Sequence, residues 1–313
     1  MTKPDVLMVG RYPDWEMPLL ECGYVVHKLW LADDRARFLS EVGPRIRAIA
    51  TNGVLGARAE LIDACPKLEI IACFGVGFDA IDLDRARTRG IRVTNTPDVL
   101  TEDVADMAFA LILASLRRLV EGEAFVRSGS WKKGALPLGK SLKGKRLGII
   151  GYGRIGRAIA RRAPAFGMSV AYCDLARAPA APHAFHTDPI SLARESDVLV
   201  AATAGGAGTR GLVNATVFDA LGPEGLFVNV SRGTVVDEGA LIAALEEKRI
   251  GAAALDVFLN EPNINERLLG FSNVIVQPHH ASGTIEARRA MGKLVRDNLA
   301  AHFAGRPLPT PVI

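Results

Sequence analysis

An apolar run, Leu147 to Ile150, leads directly into Gly151-Tyr152-Gly153-Arg154-Ile155-Gly156, and Ile155 opens a helical run that reaches about Phe166. Strand, G-x-G-x-x-G and helix in that order constrain the fold more than any other feature of this chain. The first glycine allows a tight turn, the second lets a pyrophosphate approach the backbone, and the third lets the helix pack on the strand. Amides exposed at the helix start then bind phosphate with help from the helix dipole. The chain has 31 glycines, so the six-residue pattern gains its weight only from this context. Gly151, Gly153, Arg154, Ile155 and Gly156 are therefore candidate dinucleotide-binding residues. Asp174 ends the next apolar run, where a dinucleotide fold places an acid on the adenosine ribose hydroxyls. Arg177, just beyond it, is placed to meet a 2′-phosphate instead.

The rest of the chain alternates in the same way. Val6 to Val9, Tyr24 to Leu29, Ile46 to Ala50, Leu68 to Cys73 and Ile91 to Thr94 read as buried strands, separated by helical stretches such as Asp33 to Val42 and Ala57 to Ala64. After Pro97 the spacing predicts one long helix over Thr101 to Val126, with Thr101, Glu102 and Asp103 as its start. Strands then resume at Arg146 to Ile150, Ser169 to Cys173, Val198 to Ala202, Leu226 to Val230, Ala252 to Leu255 and Val274 to Val276. A last helix, about Glu286 to Phe303, carries Lys293 and Arg296 on its polar face. The pattern predicts an α/β fold of two parallel-sheet domains with a cleft between them.

Hydrophobic residues at 49% and charged residues at 23% fit a globular chain. The net charge of +4, from 38 Lys and Arg against 34 Asp and Glu, is scattered, which argues against nucleic-acid or membrane partners. Cys22, Cys65, Cys73 and Cys173 form no C-x-x-C pair and no cluster with His at metal-ligand spacing, so reduced thiols and no bound metal are expected. With no signal-like start and no apolar run approaching roughly 20 residues, a cytoplasmic location is the expectation.

Three segments after strands carry the chemistry. They are Val230-Ser231-Arg232-Gly233, Asp256 to Pro262 with Asn260-Glu261-Pro262, and Gln277-Pro278-His279-His280. In a parallel sheet the carboxyl ends of strands share one edge, the edge where a dinucleotide binds. There an Arg can fix a carboxylate, a His can donate a proton to a carbonyl, and a Glu can keep that His protonated. Taken singly, each has a plainer role, as a surface ion pair, a turn residue or a core histidine.

The ordered set G-x-G-x-x-G, S-R-G, N-E-P and P-H resembles the D-isomer-specific 2-hydroxyacid dehydrogenase family over essentially the whole chain. It is closest to the glyoxylate/hydroxypyruvate reductase branch, which includes hydroxyphenylpyruvate reductases. Asn95-Thr96-Pro97-Asp98-Val99-Leu100-Thr101, Ser282-Gly283-Thr284-Ile285-Glu286 and the C-terminal Pro309-Thr310-Pro311-Val312 resemble that branch too. The resemblance implies a flavodoxin-like substrate domain, 1–97 plus 285–313, and an NAD(P)-binding Rossmann domain, 98–284, hinged near Pro97 and Ser282. It implies a homodimer built largely on the cofactor domain. Arg232 would bind the substrate carboxylate and carbonyl, His279 would be the acid/base, and Glu261 its partner. His280 is extra, its ring expected on the opposite side of an extended segment. Asp256 would contact the nicotinamide carboxamide, Thr203 and Val230 would border the cofactor, and the amides of Val76 and Gly77 would hold the carboxylate.

Two departures stand out. Thr203 to Thr209, Thr-Ala-Gly-Gly-Ala-Gly-Thr, replaces a Cys-Pro-Leu-Thr-Pro-Glu-Thr-like run beside the cofactor. Asp174 replaces a Ser-Arg-like pair of NADP-preferring reductases, so NAD is the expected coenzyme and NADP the alternative. The expected reaction is reduction of a small 2-keto acid such as glyoxylate or hydroxypyruvate. The competing readings are a phosphoglycerate or formate dehydrogenase of the same family, or a non-enzymatic NAD-sensing adaptor. Asn52-Gly53-Val54 and the Trp131 region are candidates to line the substrate pocket.

Overall fold

The computed structural model describes residues 3–313. The chain forms two α/β units: one runs up to Leu100 and resumes at Gly283–Ile313, and the other is Thr101–Ser282.

In the first unit, five parallel strands lie in the order β2-β1-β3-β4-β5: β1 (Asp5–Met8), β2 (Val25–Lys28), β3 (Ile46–Asn52), β4 (Ile70–Phe74) and β5 (Arg92–Thr94). These runs are apolar along their length because helices cover both faces of a parallel sheet. Leu7, Ile49, Ile71 and Val93 pack with Ile62 and Cys65 in the core of this unit. The order reverses between β1 and β3, the flavodoxin-like switch point. At the β5 edge, Thr94 bridges Pro311 in antiparallel fashion, and Val312 N donates to Val93 O at 2.7 Å. The C-terminal tail thus covers an edge that would otherwise expose unpaired backbone.

The second unit holds seven parallel strands in the order β12-β11-β10-β9-β6-β7-β8. They are β6 (Arg146–Ile150), β7 (Ser169–Cys173), β8 (Ala184–His186), β9 (Val198–Ala201), β10 (Leu226–Asn229), β11 (Ala252–Leu255) and β12 (Val274–Val276). This is the dinucleotide-binding order with one strand added, and its switch point lies between β6 and β9. The helix Thr101–Leu116 buries Val104, Ala105, Ala108, Leu111 and Ile112 and packs on the helix Arg154–Arg162 and on β10 and β11. Ion pairs from Arg162 to Glu102 and Asp106 join the two helices.

Several local expectations need correction. The long helix is two, Thr101–Leu116 and Leu119–Arg127, because Arg118 adopts φ 54° and turns the chain between them. The helical run after the glycine loop does reach Phe166, as an α-helix to Arg162 followed by a 3-10 turn containing Pro164. Strand β8 was not legible: it is three residues long and carries one His among two apolar residues. Arg296, on the polar face of the last helix, is half-buried. It pairs with Glu16, which is 2% exposed, and the absent side chain of Gly292 makes room for that carboxylate. A charge pair at such a site is expected to be costly to break from one side, since it would strand a buried charge.

Candidate active site

The glycine loop shows which constraints come from the protein and which do not. Gly151 has φ 92°, and a Cβ there would stand 2.6 Å from Thr203 Cα. A Cβ on Gly156 would meet Gly151 O at 2.0 Å. Both glycines are required by the protein itself. Gly153 differs: a Cβ would find nothing within 4 Å, and its φ −74° and ψ −155° are open to any residue. No side chain caps the helix that begins at Arg154, so its first amides are left for another acceptor. A bare, ungated backbone at a helix N-terminus is what a pyrophosphate needs, and the residues present therefore fit a dinucleotide. Asp174 is held against this loop, its carboxylate accepting from Tyr152 N and Leu175 N at 2.7 Å each. The Tyr152 ring faces inward and stacks on Tyr172 at 4.0 Å.

The three chemical segments leave β10, β11 and β12 at the same sheet edge. Asn229, 1% exposed, shapes the first. Its Oδ1 accepts from Ser231 N (3.0 Å) and Ser231 Oγ (2.7 Å), and its Nδ2 donates to Arg232 O at 3.0 Å. Gly233 then lies so close to the next segment that a Cβ would stand 1.9 Å from Phe258 C. That approach brings Arg232 near enough for its charge to act on Glu261.

The second and third segments are joined through Asp256, 1% exposed. Its two oxygens accept from His280 N (2.7 Å) and Ala281 N (3.0 Å), and its carbonyl accepts from His279 N at 2.7 Å. Burial pushes the Asp256 carboxyl up from its ordinary value, against the pull of these two amides. The Asp256 carboxylate fastens the histidine loop. His279 has φ 51°, so the segment is not extended at this residue, and the argument that the two rings alternate along a strand does not apply.

His279 Nδ1 lies 2.6 Å from Glu261 Oε2, while Glu261 Oε1 accepts from Phe258 N at 2.9 Å. Burial alone would raise the Glu261 carboxyl. The hydrogen bond and charge of His279, the Phe258 amide and the Arg232 charge outweigh it and hold the group below its ordinary value. Glu261 is thus an anion whose orientation is fixed from both oxygens. With Nδ1 committed to Glu261, Nε2 is the ring nitrogen left for another partner.

In the other unit, the loop after β4 has its carbonyls tied back. Gly75 O accepts from Thr96 N (2.9 Å), Val76 O from Asn95 Nδ2 (2.8 Å), and Gly77 O from Cys73 Sγ (3.5 Å). The loop is thus held through its oxygens. Asn229, Asn95 and the holding role of Asp256 escaped the sequence reading. An Asn two residues before a turn is a known local signal, and it applied to Asn229; nothing local pointed to the other two.

The sequence model for "D-isomer specific 2-hydroxyacid dehydrogenase, NAD binding domain" matches residues 109–281. The chain belongs to the D-isomer specific 2-hydroxyacid dehydrogenase family. It is an NAD(P)-dependent oxidoreductase acting on 2-hydroxyacids and their keto forms. It is 47% identical over 308 residues to hydroxyphenylpyruvate reductase of Plectranthus scutellarioides, covering 98% of each chain. Among solved structures, a 2-hydroxyacid dehydrogenase of Ketogulonicigenium vulgare shares 53% identity at a TM-score of 0.93, over 100% of this chain and 99% of that one. The NADPH-dependent glyoxylate/hydroxypyruvate reductase of Sinorhizobium meliloti, in complex with NADP and malonate, shares 42% identity at a TM-score of 0.92, over 99% and 97%. Among the described residues no helix is long and apolar enough to cross a membrane.

Proposed function

We propose that this enzyme reduces glyoxylate, hydroxypyruvate or a larger 2-keto acid to its D-2-hydroxy acid, with His279 as proton donor. The observation that carries the reading is the His279–Glu261 contact at 2.6 Å within reach of the Arg232 charge. Arg232 binds the substrate carboxylate and polarises the carbonyl through its planar fork of donors. The amides of Val76 and Gly77, in the first unit, are read as donors to a carboxylate. His279 Nε2 delivers a proton to the carbonyl oxygen as charge builds there, and the Glu261 anion stabilises the ring in its charged form. The bound NAD(P)H supplies the hydride.

Relatives named for glyoxylate, hydroxypyruvate and 2-ketogluconate reduction support this substrate range. Asp174, fixed beside the glycine loop, supports a preference for NAD, because a 2′-phosphate would bring like charge to a carboxylate. Arg177 and the NADPH-dependent relative are the grounds for the alternative. The exposed apolar side chains Leu119, Val120, Val126, Trp131 and Leu138 support a homodimer formed on the second unit. Cys22, Cys65, Cys73 and Cys173 form no disulfide among the described residues, which supports a reducing, cytoplasmic setting.

The test is kcat/KM for a panel of 2-keto acids, formate and 3-phosphoglycerate with NADH, NADPH and their oxidised forms. Highest values for glyoxylate or hydroxypyruvate support the reading. Turnover confined to formate or 3-phosphoglycerate would move the chain to another branch, and no turnover with any substrate would favour an adaptor.

A further inference from the structure

The loop that carries Val76 and Gly77 is not held by its neighbours alone. Asn95, which grips Val76 O through Nδ2, is itself gripped by the C-terminal tail. Thr310 Oγ1 donates to Asn95 O at 2.6 Å, and Asn95 N donates to Thr310 O at 3.4 Å. Thr310 is in turn fixed by Asn298 of the last helix. Asn298 Nδ2 donates to Thr310 Oγ1 (2.8 Å) and to Leu294 O (2.8 Å), while its Oδ1 accepts from Thr310 N (3.1 Å). Asn298 has no exposed surface. A fully buried amide whose donor and acceptor are both used toward one threonine is a fixed anchor, because leaving either end unpaired would carry the desolvation cost in full.

The hydroxyl of Thr310 both donates and accepts, linking Asn298 to Asn95. It has one proton, given to Asn95 O, and its lone pair takes the Asn298 amide. Valine has the same shape and can do neither. The tail beyond it is secured independently, through Val312 N to Val93 O (2.7 Å) and Arg92 Nε to Ile313 O (3.1 Å). Removing the hydroxyl therefore loosens Asn95 without releasing the tail.

We propose that Thr310 and Asn298 are positioning residues of the active site, which set the Val76–Gly77 amides toward the substrate carboxylate by holding Asn95. This rests on the reading of those two amides as carboxylate donors. The C-terminal tail, more than two hundred residues away in sequence, then contributes to substrate affinity without touching substrate.

The experiment compares wild type, Thr310→Val and Thr310→Ser in three measurements: hydrogen exchange of the Thr96 amide, which donates to Gly75 O and so reports on this loop, steady-state kinetics, and inhibition by oxamate, a small 2-keto acid analogue. In Thr310→Val the Thr96 amide is expected to exchange about tenfold faster, as a local opening made easier by one lost hydrogen bond. KM and the oxamate inhibition constant are expected to rise in parallel by a similar factor. kcat should change less than twofold, the coenzyme dissociation constant should stay the same, and Thr310→Ser should restore both affinities. Unchanged exchange, or a lower Tm with kcat and KM altered alike and no rescue by Ser, would overturn the proposal. Faster exchange with unchanged oxamate inhibition would reject the carboxylate role of the loop amides, and the proposal with it; the Arg232 and His279 assignments would then stand on their own tests. Should Thr310→Val fail to fold, Asn95→Ala probes the same chain from the loop end with the same expected pattern.

Discussion

Replacing Gly153 and Gly156 by alanine, one at a time, separates what the glycine loop does for the protein from what it does for the cofactor. At Gly156 the added methyl would stand 2.0 Å from Gly151 O. Neither partner is a flexible side chain end, so strand and helix must part. Overpacking of this kind costs about 1–3 kcal/mol, and in a chain of this size each kcal/mol lowers Tm by roughly 2–4 °C. At Gly153 no atom lies within 4 Å of the added methyl, and the backbone angles suit alanine. Stability should hold or rise by about 0.4–1 kcal/mol, because alanine restricts the unfolded chain more than glycine does. The methyl would occupy the space through which a pyrophosphate approaches the amides. Losing one charge-assisted hydrogen bond costs about 1.5–3 kcal/mol, and each 1.4 kcal/mol is about tenfold, so coenzyme Kd should rise at least tenfold. Thermal unfolding of the free enzyme and fluorescence titration with NADH and NADPH read the two effects separately. A Gly153→Ala variant that binds both coenzymes as well as wild type would refute the argument, as would one destabilised as much as Gly156→Ala.

Arg232→Ala should lower kcat/KM by about 100-fold or more, and Arg232→Lys should recover only part of it, since an ammonium lacks the planar fork; near-wild-type kinetics in the alanine variant would remove Arg232 from the mechanism. His279→Ala should nearly abolish turnover at every pH, while His280→Ala, whose backbone rather than ring is used by Asp256, should keep most of it; the reverse pattern would reassign the proton donor. Glu261 is held below its ordinary value of 4.5, so its ionised form adds stability above that pH and the contribution is lost as pH falls through the folded value. Urea unfolding between pH 3 and 6 should therefore show a shallower pH dependence in Glu261→Gln, and identical slopes would mean that the ion pair does not stabilise the fold.

How much of this was legible beforehand follows from the range over which each feature is decided. The strands of both sheets could be placed within a residue or two because a parallel strand covered on both faces needs a short apolar run, and that is a local property. β8 failed the same test: at the edge of the sheet, Ala184 is exposed and Phe185 and His186 are only half-buried. Likewise the glycine loop was readable because its turn, its helix start and its close approach to the strand all fall within a few residues. The break at Arg118 was not, since residues on either side have good helical spacing and only the packing around them selects a left-handed backbone at that point.

The identities of Arg232, Glu261 and His279 as unusual residues after strands came from sequence alone, together with the likeness that ordered them. Their geometry did not. Asn229 fixes the Arg232 turn, Gly233 admits the Phe258 backbone, Asp256 fastens the His279 loop, and Thr310 reaches Asn95 across 215 residues. Each is a contact between segments that become neighbours only when the sheets assemble. A hydrogen-bonding side chain advertises its capacity in the sequence; which partner satisfies it depends on the through-space arrangement of the whole domain. Local chemistry therefore determined what kinds of group this chain brings to its site, and tertiary packing decided which of them hold the others in place.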